Sequence, residues 1–279
     1  PRAASPRRIM LPMRLFLYEF VSGGGFLESG VMPPPSLLAE GGAMFAALAA
    51  DFAVLDGITV FSLRDARLPP HRLDGIDVQA VASAAEERAS FDRLARKCDA
   101  TLVVAPEFSG YLHNRCRRVE EAGGRLLGPS PAVVALASDK HATAEHLAAA
   151  NVPVPLGWAV DLHAPWPPVR YPAVVKPRYG AGSEGVRWAA NTAEAQRAIA
   201  AVGGACRIEA YCPGLPVSVA LLCGSAGCFP LTPCRQILAG DQCFDYRGGS
   251  LPLEASLALR AERLARRVAA ALPAPRGYL

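Results

Sequence analysis

Short, densely apolar runs alternate with stretches whose apolar positions recur every three or four residues. Residues 14–20 form one such run, with Leu15, Phe16, Leu17 and Tyr18 consecutive, and read as a strand buried on both faces. Ser22 and three glycines follow, then Pro33, Pro34 and Pro35 lead into a helical pattern over 36–50. Residues 58–61 read as a second strand. A helix over 86–97 runs into a strand at 100–105, and a helix over 111–122 precedes a short strand at 125–127. Strands alternating with helices predict a doubly wound parallel sheet, here a first α/β domain over 13–130.

Beyond it the pattern changes. A helix starts after Ser138, Asp139 and Lys140 and ends near 150, where Asn151, Pro153 and Pro155 stop it. Two strands flank a glycine-rich loop between 171 and 189, and Asn191 and Thr192 cap a helix over 193–201. This region, 131–205, reads as a small α+β subdomain. Residues 206–279 are strand-rich, with strands expected at 207–211, 217–222 and 229–238, a turn at 244–249 and an amphipathic helix over 253–272. No internal repeat is visible.

Composition narrows the classes. The 279 residues are 51% hydrophobic and carry a net charge of +4, with part of the arginine excess at Arg2, Arg7 and Arg8. No basic stripe interleaved with aromatics appears, which argues against nucleic acid. The eight cysteines show neither a C-x-x-C pair nor zinc-ligand spacing and read as reduced, mostly buried thiols of a cytoplasmic protein. No apolar run is seen to reach the ~18 residues of a membrane span, and no signal-peptide core is present. Residues 1–12, rich in Pro, Arg and Ala, read as a disordered tail, with Met13 as the expected natural start.

The most informative stretch is 171–186. An apolar strand ends in Lys176. Four residues later begins a loop, Gly180, Ala181, Gly182, Ser183, Glu184, Gly185, and a second strand follows. The loop fits G-x-G-x-x-G but lacks the context of a dinucleotide fingerprint, which opens a helix after the first strand of a βαβ unit. It lacks the Gly-Lys-Ser/Thr ending of a P-loop, and the lysine precedes the loop, the reverse of the protein-kinase order. A cation beside a hairpin of free backbone N–H groups suits a triphosphate.

Ser138, Asp139 and Lys140 before a helix, then Val-Pro-Val-Pro at 152–155, then Lys176 with its glycine loop and Glu209 on a later strand, together resemble the ATP-grasp superfamily of carboxylate–amine ligases. The resemblance covers nearly all of 13–279. It implies an ATP-grasp α/β fold: a doubly wound N-terminal domain, a small lid subdomain and an incomplete C-terminal subdomain. It also implies that Lys140 and Lys176 hold ATP phosphates under a lid formed by Gly180, Ala181, Gly182, Ser183 and Gly185. Glu209 and Tyr211 belong to the segment that grips adenine. Where many members carry a second acid for the ribose, this chain has Pro216, so no ribose contact is assigned.

Tyr18, Glu19 and Phe20 with Ser22 and the following glycines, Glu40, Gly41 and Met44, Ala105 to Glu107, Cys234 to Gln236, and Tyr246 to Gly249 with Pro252 are similar to the tyramine–glutamate ligase-like group of methanofuran biosynthesis. That likeness implies Glu19, Ser22, Glu107 and Tyr246 as substrate-binding residues and Arg235 and Gln236 as stabilisers of an acyl phosphate. The implied reaction is attack of a carboxylate on the γ-phosphate of ATP, with Mg2+, followed by displacement of phosphate by an amine. The partners are then a small carboxylate and a small amine, with a homodimer left open. The metal-binding residues of the superfamily lie on late strands that this chain is expected to lack beyond Leu279, so no metal ligand is assigned and little ligase activity is expected. Two alternatives are a peptide-forming ATP-grasp ligase of amino acids and a non-catalytic ATP-binding protein.

Overall fold

The computed structural model describes residues 13–70, 75–161, 165–239 and 244–279. The expected tail at 1–12 and Cys243 lie outside the described residues. Two compact units divide the chain, one of residues up to 106 with 111–128, the other of 107–110 with 129–279.

In the first unit the strands are β1 (Met13–Glu19), β2 (Ile58–Asp65), β3 (Ile76–Val81) and β4 (Ala100–Val104), and the helices are α1 (Pro35–Ala53), α2 (Ala84–Lys97) and α3 (Tyr111–Glu121). The strands pair in parallel in the order β3-β2-β1-β4, and Leu126 adds a parallel bridge to Thr101. Both faces of β1 are covered, which is why its sequence shows no alternation. Leu15 and Leu17 pack with Phe45 and Ala49 of α1, while Phe16 and Tyr18 meet Phe91 of α2 at ring distances of 5.4 and 4.8 Å. Strand β3 falls where no element is expected from sequence, as a half-buried edge strand.

Helix α1 corrects the expectation of no span-length apolar segment. It has 19 residues and a window of mean hydropathy 1.3, enough by length and composition to cross a membrane. In the structure Gly41, Phe45 and Ala49 are its buried stripe, and it lies on β1 and β2.

The second unit opens with α4 (Pro131–Ser138) and α5 (Lys140–Ala149), followed by β5 (Gly157–Val160), β6 (Ala173–Pro177), β7 (Arg187–Ala189), α6 (Thr192–Val202) and β8 (Cys206–Ala210). Asn191 caps α6 by accepting from Glu194 N at 3.1 Å. The strands form an antiparallel sheet in the order β5-β8-β6-β7. Thus Cys206–Ala210, expected to open the next subdomain, is an inner strand of this sheet. Its core face carries Ala173, Val175, Cys206 and Ile208 against Ala195 and Ile199 of α6.

The remaining elements are β9 (Val217–Ser218), β10 (Leu221–Gly224), β11 (Gly227–Pro230), β12 (Cys234–Leu238), β13 (Tyr246–Ser250), α7 (Ala255–Ala271) and β14 (Gly277–Tyr278). They make two small antiparallel sheets, β11-β10-β14 and β13-β12-β9. Each of two expected long strands is therefore split between the sheets. Pro233, which has no N–H to donate, stands just before β12, and Leu231 N donates to Ala220 O at 2.8 Å across the break. Cys223 and Cys228 face each other on β10 and β11 and are joined as a disulfide, a correction to the expectation of reduced thiols throughout. Cys98, Cys116, Cys206, Cys212 and Cys234 form no disulfide among the described residues.

Candidate functional site

Strand alternation builds the candidate site. On β6 and β8 the residues between the core positions point to the opposite face, so Lys176, Arg207 and Glu209 share it. Lys176 pairs in register with Arg207, and Glu209 lies one step diagonal from Lys176. The Glu209 carboxylate, only 7% exposed, accepts from both cations: one oxygen pairs with Lys176 Nζ, the other with Arg207 Nε at 2.7 Å. An ion at the end of an apolar strand is expected to face a counter-charge, and Glu209 supplies it.

The N-terminal turn of α5 docks on the same face through three successive residues. Asp139 caps the helix by accepting from the N–H groups of His141 and Ala142 at 3.0 Å and holds Arg178 in a bidentate pair. Burial pushes the Asp139 carboxyl up, but the hydrogen bonds from Arg178 and the two N–H groups outweigh it and hold it at about 2. Lys140 N donates to Arg178 O at 2.9 Å, and Lys140 Nζ reaches over to donate to Gly180 O in the glycine loop. His141 Nδ1 lies 2.9 Å from Arg207 Nη1. Burial, and next the charge of Lys176, lower the Lys140 pKa, against smaller opposing effects of Glu107 and Asp139.

Strands β6 and β7 are antiparallel, so 178–186 is a hairpin connection as expected. Gly180, Gly182, Ser183 and Gly185 all have positive φ, of 94, 71, 61 and 70°. Gly180 and Gly182 have open space where a Cβ would stand, whereas at Gly185 it would lie 2.8 Å from Pro177 Cγ. The charge balance suits a polyphosphate: Lys140, Lys176, Arg178 and Arg207 outnumber the carboxylates around them, and glycine backbone lies open beside Lys140. Among the described residues no group of three His, Cys, Asp or Glu is placed to hold a metal ion by itself; Mg2+ needs only one or two carboxylates beside the phosphates it accompanies.

Other expected site residues sit elsewhere. Glu107 is exposed, at the start of the 3-10 turn Phe108–Gly110, within electrostatic reach of Lys140. Tyr211 directly follows β8, and its N–H already donates to Pro172 O at 3.0 Å. Arg235, exposed, and Gln236, half-buried, lie on β12, and Tyr246 on its neighbour β13, in a separate sheet. In the first unit Glu19 is 1% exposed, and its carboxylate accepts from Val21 N at 2.8 Å and from both Ser22 N and Ser22 Oγ at 2.7 Å. Glu19 and Ser22 therefore bind each other and shape the turn after β1. Sequence reasoning missed Asp139, His141, Arg178 and Arg207. The period-2 spacing of Arg207 and Glu209, and Asp139 at a helix start, were the available signals.

A parallel α/β unit followed by antiparallel sheets, one carrying a lysine and a glycine-rich hairpin, is the ATP-grasp fold. The chain belongs to the ATP-grasp domain family, whose model matches residues 137–279, just over half its length, and a pre ATP-grasp 3 domain matches 58–134. No curated protein matches it in sequence. Among solved structures it is similar to an ATP-grasp superfamily protein of Archaeoglobus fulgidus (22% identity, TM-score 0.67, 95% of this chain and 74% of that one). It is also similar to an L-amino acid ligase from Bacillus licheniformis (15%, 0.66, 96% and 62%) and to a D-alanine–D-alanine ligase from Bacillus anthracis complexed with ATP (16%, 0.64, 95% and 79%). The chain thus spans less than two thirds of the L-amino acid ligase, and at these identities the likeness concerns the fold.

Proposed function

We propose that the protein is an ATP-dependent carboxylate–amine ligase that forms an amide through an acyl phosphate, joining glutamate to tyramine or a similar amine in one-carbon cofactor biosynthesis in the cytoplasm. The observation that carries the nucleotide part is the placement of Lys140 and Lys176 together, with Lys140 already touching the glycine hairpin. Both ammonium groups now rest on groups of the chain itself, Gly180 O and Glu209. A triphosphate offers each a stronger, doubly charged partner. The loop N–H groups at 180–185 then close over the phosphates and exclude water, which strengthens every charge interaction inside. In this reading Glu209 and Tyr211 bound the adenine side, Glu107 meets a substrate ammonium group, and Arg235, Gln236 and Tyr246 meet the acyl group. Mg2+ accompanying ATP would neutralise phosphate charge; no step is assigned to it.

A second reading, amino-acid-joining chemistry, differs only in the acceptor; the L-amino acid ligase shares the fold with this chain. Calorimetry of ATP with the full chain and with Lys176→Ala tests the nucleotide site, and phosphate release over glutamate with a panel of amines and amino acids tests the acceptor. Binding that Lys176→Ala weakens at least about tenfold supports the reading. Equal binding by both proteins sinks it.

A further inference from the structure

Arg207 is a buried guanidinium, 2% exposed, with all three nitrogens engaged. Nε donates to Glu209 Oε2 at 2.7 Å, Nη2 to Pro155 O at 2.9 Å, and Nη1 meets His141 Nδ1 at 2.9 Å. A guanidinium has no lone pair to give, so His141 Nδ1 is the acceptor and the ring proton lies on Nε2. The side chain runs over Gly157 of β5, where a Cβ would lie 2.9 Å from Arg207 Nη2 and 2.6 Å from Glu209 Cβ. Glycine at 157 is what leaves room for the pair. A structural salt bridge would need only one cation for Glu209, yet this carboxylate is shared by a buried arginine and a half-buried lysine.

We infer that Arg207 is a positioning residue: it anchors Glu209, so that Lys176 can leave that carboxylate for a phosphate while Glu209 stays in place, and through His141 it ties β8 to the α5 turn that bears Lys140. Without Arg207, the departure of Lys176 would strand a buried carboxylate, and the exchange would be opposed. With Arg207 in place, Glu209 keeps a charge-assisted hydrogen bond throughout. His141 and the Pro155 carbonyl hold the guanidinium so that it does not follow the phosphate itself. The inference rests on the ATP reading above.

The test uses the full chain. ATP affinity is measured by calorimetry for the unaltered protein and for Arg207→Met, Arg207→Lys and His141→Leu, with thermal unfolding to establish that each is folded. Arg207→Met is expected to weaken ATP binding about tenfold, Arg207→Lys to recover part of that, and His141→Leu to weaken it about threefold. Histidine 15N spectra, with His141 assigned by its substitution, are expected to show an unprotonated Nδ1 that changes in Arg207→Lys. If Arg207→Met does not fold, Arg207→Lys and His141→Leu carry the affinity comparison. Unchanged ATP affinity in the folded variants, or a proton on Nδ1 of His141, overturns the positioning role and leaves the ATP reading standing. Absence of ATP binding by the unaltered chain overturns both.

Discussion

Asp139 Oδ2 lies 2.6 Å from Arg178 Nη2, while the same carboxylate caps α5. Its pKa is held at about 2, below the ordinary 3.8. The folded protein thus binds this proton more weakly than the unfolded chain. The stabilisation is complete above about pH 4 and is lost as pH falls from there towards about 2. Asp139→Asn is expected to cost about 2 kcal/mol at neutral pH and to differ little from the unaltered protein at about pH 2. Urea unfolding at the two pH values checks this; an equal cost at both would show that the cap, not the charge, is what Asp139 contributes.

Adjacent glycines of α1 are expected to respond with opposite sign. A Cβ on Gly41 would lie 2.7 Å from Glu19 Oε1, an oxygen held by a backbone N–H, whereas one on Gly42 meets nothing within 4 Å. Gly42→Ala should stabilise by about 0.5–1 kcal/mol through helix propensity. Gly41→Ala gains the same propensity but should be destabilised overall by about 1–3 kcal/mol. Chemical denaturation of the two variants decides it, and a stabilised Gly41→Ala would mean that the turn after β1 yields.

Gly157→Ala meets the Ile208 carbonyl oxygen and Glu209 Cβ, each at 2.6 Å, so part of the obstacle is backbone and cannot rotate away. A loss of about 2 kcal/mol or more is expected. Thermal unfolding reads it, and a neutral outcome would show that β5 shifts freely against β8.

Lys176→Ala separates binding from stability. Glu209 keeps Arg207 as a partner after the lysine is gone, so the melting temperature should move little. ATP affinity should fall at least about tenfold, the worth of a charge-assisted contact to phosphate. A large loss of stability with normal binding would reverse the assignment of this lysine.

Much of the architecture was legible. The run at Leu15–Tyr18 shows a strand covered on both faces because two helices bury its two sides. Lys176, the glycines and the apolar residues beyond them spell the β6–β7 hairpin, since the glycines stand where positive φ is needed. Asp139 and Asn191 mark real helix starts because their side chains accept the N–H groups a first turn leaves unpaired. Where sequence reading failed, a local pattern was overridden from a distance. The stretch 217–222 is apolar enough for one strand, but its halves pair with different partners, Val217 with Arg235 and Leu221 with Pro230. Cys223 and Cys228 show no motif, and only the hairpin register sets them opposite one another. Glu40 and Asp51 interrupt the apolar positions of α1, so its sequence shows no unbroken apolar run although its mean hydropathy is high.

Alternation along β6 and β8 was determined by sequence alone: whichever face takes Val175 and Ile208, the other takes Lys176, Arg207 and Glu209, because successive side chains of a strand point to opposite sides. Which of these meet was decided only by tertiary structure. The pairing of β6 with β8, separated by a hairpin and a helix, sets Lys176 diagonal to Glu209. The docking of the α5 turn brings His141, 66 residues away, onto Arg207. Such encounters depend on long-range register, and no single stretch of chain encodes them.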